Sequence, residues 1–188
     1  KAEVIVDGEV TDTYETKVGI RKIEIDFDNG MRLNGKPIKL RGGCIHHDNT
    51  LLGSRAYPRA EERKIEILKE AGYNAIRCAH NPPSTAMLDV CDRLGMLVLD
   101  ESFDMWNMGK NTLDYHLYFK DWWQFDTASM VKRDRNHPSI YCWSIGNEIP
   151  EITGKSDGAY WARVQADFVR SLDQTRPITS AIHGGVDM

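Results

Sequence analysis

The run Ser139-Ile140-Tyr141-Cys142-Trp143-Ser144-Ile145-Gly146-Asn147-Glu148 carries an apolar segment into an amide and a carboxylic acid. At the end of a buried strand, such an amide can hydrogen-bond a sugar hydroxyl while the neighbouring carboxyl reaches the oxygen of a bond to be cleaved. A carboxyl in surroundings of low dielectric keeps its proton near neutral pH, as a general acid must. The same pair at a helix N-terminus on the surface would do no chemistry, so its surroundings decide. Other ionisable and polar residues gather just after strand-like segments: His46, His47 and Asp48; His80 and Asn81; Asp100 and Glu101; and His183. A metal-dependent hydrolase built from His46, His47, His80 and Asp100 is a rival reading. Against it, adjacent strand residues point to opposite sides, and the His-x-His spacing that would put two on one side is missing.

These residues need elements to hold them. Ile23, Ile25 and Phe27 alternate with Glu24 and Asp26 as in a half-buried strand, and Asp28-Asn29-Gly30 reads as a hairpin turn. Met31 and Leu33 continue the alternation, Asn34-Gly35-Lys36-Pro37 turns again, and Ile38 to Cys44 reads as a further strand. From Leu40 the order becomes strand, helix, strand. Glu61 to Ala71 reads as a helix stopped by Gly72, and Ser84 caps a helix bearing Met87, Cys91 and Leu94 that stops at Gly95. A third helix runs through Trp122, Trp123 and Phe125 toward Asn136-His137-Pro138, and a fourth carries Trp161, Val164, Phe168 and Leu172. Strands begin near Leu40, Ala75, Leu97, Tyr141 and Thr179.

Strands apolar along their whole length and alternating with helices imply an α/β fold with a covered parallel sheet. A doubly wound sheet would carry a Gly-rich phosphate-binding turn, which follows none of these strands. Ionisable groups at the ends of several strands fit a (β/α)8 TIM barrel. Five strands are about half of one, preceded by a short β segment. The open edge implies that the remainder of a barrel, or a homo-oligomeric partner, covers it.

With 188 residues, 41% hydrophobic and 28% charged, the chain can bury a real core. Its formal net charge of -4 gives no basic field for nucleic acid or an anionic membrane, so neither is an expected partner. No apolar run approaches the roughly 20 residues of a membrane helix, and Lys1 to Val10 has no apolar signal core. Cys44, Cys78, Cys91 and Cys142 form no CxxC pair or zinc-spaced cluster and read as reduced core residues. That fits a cytoplasmic protein, or one exported on a signal outside this sequence.

The segment Arg133 to Glu148 resembles the acid/base signature of glycoside hydrolase family 2, the family of β-galactosidases, β-glucuronidases and β-mannosidases. Asn34-Gly35-Lys36-Pro37 through Arg41-Gly42-Gly43 resembles the family's approach to its first barrel strand. Asn74-Ala75-Ile76-Arg77-Cys78-Ala79-His80-Asn81-Pro82-Pro83 resembles the second-strand motif, and Cys91-Asp92-Arg93-Leu94-Gly95 with Asp100-Glu101 the third. The resemblance implies a TIM barrel from about residue 20 to residue 188, with residues 1–19 the tail of a preceding β-sandwich or a linker.

It also implies retaining hydrolysis of terminal β-glycosidic bonds by two carboxylates about 5 Å apart. Glu148 matches the acid/base. The nucleophile is a glutamate of the seventh strand, beyond this sequence, so the segment alone is expected to be inactive or to serve only as a carbohydrate-binding fragment. His46, His80, Asn147 and, by its place after the third strand, Asp100 are expected at the sugar subsite, with Trp106 as an apolar platform. Arg77 and Glu101 are expected behind them, Arg77 either keeping the nucleophile ionised or pairing with Glu101 or Asp100. Met105 falls where the magnesium-dependent branch has a further glutamate. A thioether is a poor ligand for a hard cation, so no magnesium or other cofactor is expected, with Asp104 the one nearby carboxylate that could still serve. The Gly146 to Glu151 run and Asp104-Met105-Trp106 look most like β-galactosidase members.

Overall fold

The computed structural model describes residues 1–153 and 156–182. A hairpin of β1 (Ala2–Val6) and β2 (Glu9–Tyr14) opens the chain, exposed on both faces. Residues 1–19 thus contain regular structure, turned by Asp7-Gly8 at positive φ. Next come β3 (Ile23–Asp26), β4 (Gly30–Leu33) and β5 (Lys36–Pro37) in a three-stranded antiparallel sheet. Arg21 ties this region to the barrel segment, donating from Nε to the Pro138 carbonyl at 2.9 Å and from Nη2 to the Ile140 carbonyl at 2.6 Å.

Five parallel strands follow in spatial order β10-β9-β8-β7-β6: β6 (Gly42–His46), β7 (Ala75–Ala79), β8 (Leu97–Glu101), β9 (Ile140–Asn147) and β10 (Ile178–Ala181). The first begins at Gly42, later than its apolar pattern implies, because the Asn74 side chain occupies the backbone just before it. Asn74 Oδ1 accepts from the Arg41 N–H at 2.7 Å, and Nδ2 donates to the Lys39 carbonyl at 2.9 Å. Gly42 then lies so close to β7 that a Cβ there would stand 2.1 Å from the Ala75 carbonyl oxygen, which restricts the position to glycine.

Helices cover one face of the sheet. α1 (Pro58–Glu70) starts earlier than its charged stretch because Pro58 suits the first turn. In α2 (Thr85–Leu94), Ser84 Oγ accepts from the Met87 N–H at 3.2 Å and Gly95 closes the helix at φ 68°. α3 (His116–Asp134) buries Phe119, Trp123, Met130 and Val131 and leaves Trp122 and Phe125 exposed. α4 (Gly158–Leu172) brings Trp161 and Phe168 edge-on to Trp123. Between sheet and helices lies one core that includes Ile65, Ile76, Leu88, Val98, Ile140 and Trp143. Each large side chain there contributes about 1.5–3 kcal/mol on burial.

Strand alternation divides the sheet chemically. Ile76, Cys78, Val98, Asp100, Trp143 and Ile145 face the helices, whereas Arg77, Leu99, Glu101 and Ser144 share the opposite, inner face. Because that inner face is open here, Cys44 is exposed rather than in the core; Cys78, Cys91 and Cys142 are buried and unpaired as expected. β6 and β10 each have one side without a strand partner among the described residues.

Candidate active site

Arg77 stands mid-strand on β7 and crosses to Glu101 at the end of β8. Its Nε donates to Glu101 Oε2 at 3.0 Å and its Nη2 to Oε1 at 2.9 Å, a two-pronged pair whose carboxylate is fully buried. Ser144 Oγ adds a hydrogen bond to Glu101 Oε2 at 2.6 Å, and His80 Nδ1 lies 2.7 Å from Oε1. Nη2 of Arg77 also donates to Asn147 Oδ1 at 2.7 Å. Burial alone would lower the Arg77 pKa; Glu101 overrides it and raises the value.

Asn147 is thereby fixed on one side by Arg77. On the other, its Nδ2 donates to Asp104 Oδ1 at 2.8 Å, and Lys110 Nζ donates to the same oxygen at 2.6 Å. Burial would raise the Asp104 pKa, but these two hydrogen bonds and the Lys110 charge hold it below the usual carboxylate range. Glu148 follows at φ 44°, exposed at the mouth of the strand, its N–H donating to the Ala181 carbonyl at 2.7 Å. The residue carrying the carboxyl therefore sits in the left-handed region that favours glycine.

His46 ends β6 with its ring 5.2 Å from that of His80, edge to face, so two of the expected subsite residues meet. His47 turns aside to the Ser54 carbonyl at 2.9 Å. His183 lies outside the described residues. Beside His80 and Asp104 a cavity of about 490 Å³ opens between the loops after β7 and β8 and helix α3, walled by Phe103, Met105, Tyr115 and Met130.

Two expected site residues are elsewhere. Asp100 alternates with Glu101 and so points into the helix layer, fully buried. Burial first, and then the nearby carboxylate of Asp134, push its pKa well above the ordinary value. Trp106 is also fully buried: its Nε1 donates to the Ile145 carbonyl at 2.8 Å and its ring stacks on Phe119, so it supports β9 from beneath and offers no platform. Ser144 and Lys110 also belong to this network, and neither stands out among the ionisable residues that follow the strands. A polar residue inside an otherwise apolar strand was the available sign of Ser144; Lys110 lies in a loop without periodicity and left none.

Among the described residues, the one group of three metal-capable side chains is Asp89, Asp92 and His137, at the opposite end of the strands. Asp92 is already engaged there by His137 Nδ1 at 2.7 Å and the Ser139 N–H at 2.9 Å.

The sequence profile described as glycosyl hydrolases family 2, TIM barrel domain, matches residues 23–185. The chain belongs to this family. It is 44% identical over 181 residues to the β-galactosidase BoGH2A of Bacteroides ovatus, covering 96% of this chain and 20% of that protein. A putative β-glucuronidase of Formosa agariphila is 37% identical, covering 100% of this chain and 17% of the relative. In three dimensions, a glycosyl hydrolase family 2 member from Bacteroides cellulosilyticus superposes with a TM-score of 0.95 at 53% identity, covering 98% of this chain and 24% of that one. The chain thus spans about a fifth of the length of the curated relatives it matches, and its five parallel strands are part of the family's barrel.

Proposed function

We propose that this segment is the acid/base half of a retaining glycoside hydrolase, with Glu148 as the general acid and base. The observation that carries the reading is the Arg77–Glu101–Asn147 network, which fixes the residue before Glu148 at the C-terminal mouth of the barrel strands. Active sites of TIM barrels form at that end. Asn147, His46 and His80 then line the sugar subsite, and Glu148 protonates the departing glycosidic oxygen. The second carboxylate, a seventh-strand glutamate of the whole protein, would form the glycosyl-enzyme intermediate, after which Glu148 activates water. Arg77, charged and facing inward, would help keep that nucleophile ionised.

The substrate is a terminal β-glycoside, and the similarity to BoGH2A favours a β-galactoside. A β-glucuronide is the second reading, supported by the relative from Formosa agariphila. The remainder of the barrel covers the open strand edges, and the 188-residue segment alone is inactive because it lacks the nucleophile.

Glu148→Gln in the whole protein tests the assignment. Pre-steady-state glycosylation of nitrophenyl β-galactosides and β-glucuronides should fall most for the least acidic leaving groups, because an acid helps most when the departing oxygen is basic. Equal losses across the leaving-group series would overturn it. So would robust turnover by the 188-residue segment that Glu148→Gln abolishes, since Glu101 or another carboxylate would then have to be the nucleophile.

A further inference from the structure

We propose that Lys110, in the loop between β8 and α3, is a positioning residue for Glu148. Its Nζ donates to the main-chain carbonyl of Asn147 at 2.8 Å as well as to Asp104 Oδ1 at 2.6 Å. That carbonyl belongs to the peptide unit joining Asn147 to Glu148, whose N–H donates to the Ala181 carbonyl at 2.7 Å. The peptide is therefore gripped at both poles. Asp104 Oδ1, shared with Asn147 Nδ2, closes a ring through the side chain and main chain of Asn147.

What the grip opposes is visible in the backbone. Glu148 holds φ 44°, a conformation unfavourable for a residue with a Cβ that persists only when its surroundings fix it. Lys110 is itself anchored: its N–H and that of Asn111 both donate to Asp114 Oδ2, at 2.8 and 2.7 Å. The loop thus delivers an ammonium to the peptide preceding Glu148, while the Asn147 side chain has support independent of Lys110 from Arg77 and keeps its own hydrogen bond to Asp104. Losing Lys110 should free the Glu148 backbone while leaving the Asn147 amide in place.

The inference rests on Glu148 being the acid/base, and it predicts a separation in kinetics. In the whole protein, Lys110→Met should reduce kcat/KM about 10- to 100-fold for a phenyl glycoside of the hydrolysed sugar, whose leaving group needs protonation. The dinitrophenyl glycoside should lose less than about 3-fold, and the affinity for a competitive monosaccharide inhibitor should change less than about 3-fold, because Asn147 still binds the sugar. Lys110→Arg should restore most of the phenyl glycoside activity, since a guanidinium can still donate to both oxygens.

A uniform loss for both glycosides in Lys110→Met, or no loss, would overturn the proposal. If Lys110→Met does not fold, Lys110→Gln is measured in its place, with the same expected split and the same overturning result. Glu148→Gln in the same series separates the two readings: if its own losses do not depend on the leaving group, the acid/base assignment fails. If Glu148→Gln shows the dependence and the lysine variants do not, only the role of Lys110 fails.

Discussion

Arg77 and Glu101 meet across two neighbouring strands with both Nε and Nη2 of the guanidinium on the two oxygens of one carboxylate. Because β7 and β8 are parallel and Arg77 pairs in register with Leu99, the longer reach of Arg77 places its charge level with the strand end where Asn147 and Glu148 emerge. The pair is therefore a brace for the mouth of the barrel. A lysine lacks the planar fork whose separate nitrogens, Nε and Nη2, match the two carboxylate oxygens while Nη2 also reaches Asn147 Oδ1.

Arg77→Met should consequently damage both stability and the site. It leaves the buried Glu101 carboxylate with Ser144 and His80 as its remaining partners among the described residues, and removing one partner of such a pair costs about 3 kcal/mol or more. Chemical denaturation should show that loss, with Arg77→Lys intermediate. Affinity for a competitive monosaccharide inhibitor should fall in both variants, since Asn147 loses its Arg77 anchor. Unchanged affinity together with lost stability would make the brace purely structural.

Trp106 tests the difference between a platform and a core residue. Its indole is wholly buried, and Nε1 lies 3.0 Å from where a Cβ on Gly146 would stand. Trp106→Ala should cost about 3–5 kcal/mol by opening a cavity beneath β9. Trp106→Phe should cost less but still more than a surface change, because the Ile145 carbonyl loses its donor. A sugar platform would instead give a raised KM with stability unchanged, and that result would reverse the assignment.

Asp173 joins the base of β9 to the turn before β10. It accepts from Trp143 Nε1 at 2.9 Å and from Arg176 Nη1 at 2.6 Å. Burial would raise its pKa, but hydrogen bonds from Thr175, Trp143 and Arg176 bring it down to about 2. A carboxyl depressed by folding stabilises the fold above its unfolded value near 4 and stops doing so as pH falls toward 2. Asp173→Asn should therefore be destabilising at pH 6 and nearly neutral at pH 2. Thermal melting of both proteins across that range checks it.

The sequence made the strand and helix order legible because each strand is apolar along its length and each helix has a marked stop. The same alternation leaves the side that Asp100 faces undecided. Asp100 and Glu101 are neighbours, so one must face the helices and the other the inner face, and residue type alone could not say which. In β8 the apolar Val98 packs into the core under the helices, and alternation along the strand then puts Asp100 on that side and Leu99 and Glu101 on the other. Trp106 was misplaced for a related reason: a loop residue by sequence, it folds back under β9. His46 and Asn147 end strands and His80 and Glu148 directly follow them, and parallel strands ending at one level bring such positions to one end of the sheet, which is all that the sequence pattern conveys about them.

Asp100 gives the clearest titration. It is fully buried, and beside it lies Asp134, whose carboxyl oxygens accept from Arg133 Nε and Nη2 at 2.5 and 2.6 Å. Burial and that neighbouring charge both favour the protonated form, so its pKa is well above the ordinary value. A carboxyl raised by folding must take up a proton to enter the fold: its contribution is complete below the unfolded pKa near 4 and declines as pH rises toward the folded value. Asp100→Asn keeps the shape, removes the acid and needs no proton. The variant should match the parent near pH 4 and become progressively more stable than it toward pH 8, with the unfolding midpoint followed at each pH. A parent whose stability relative to the variant does not fall over that interval would mean that Asp100 is ionised in the fold, with a counter-charge nearer than Arg133.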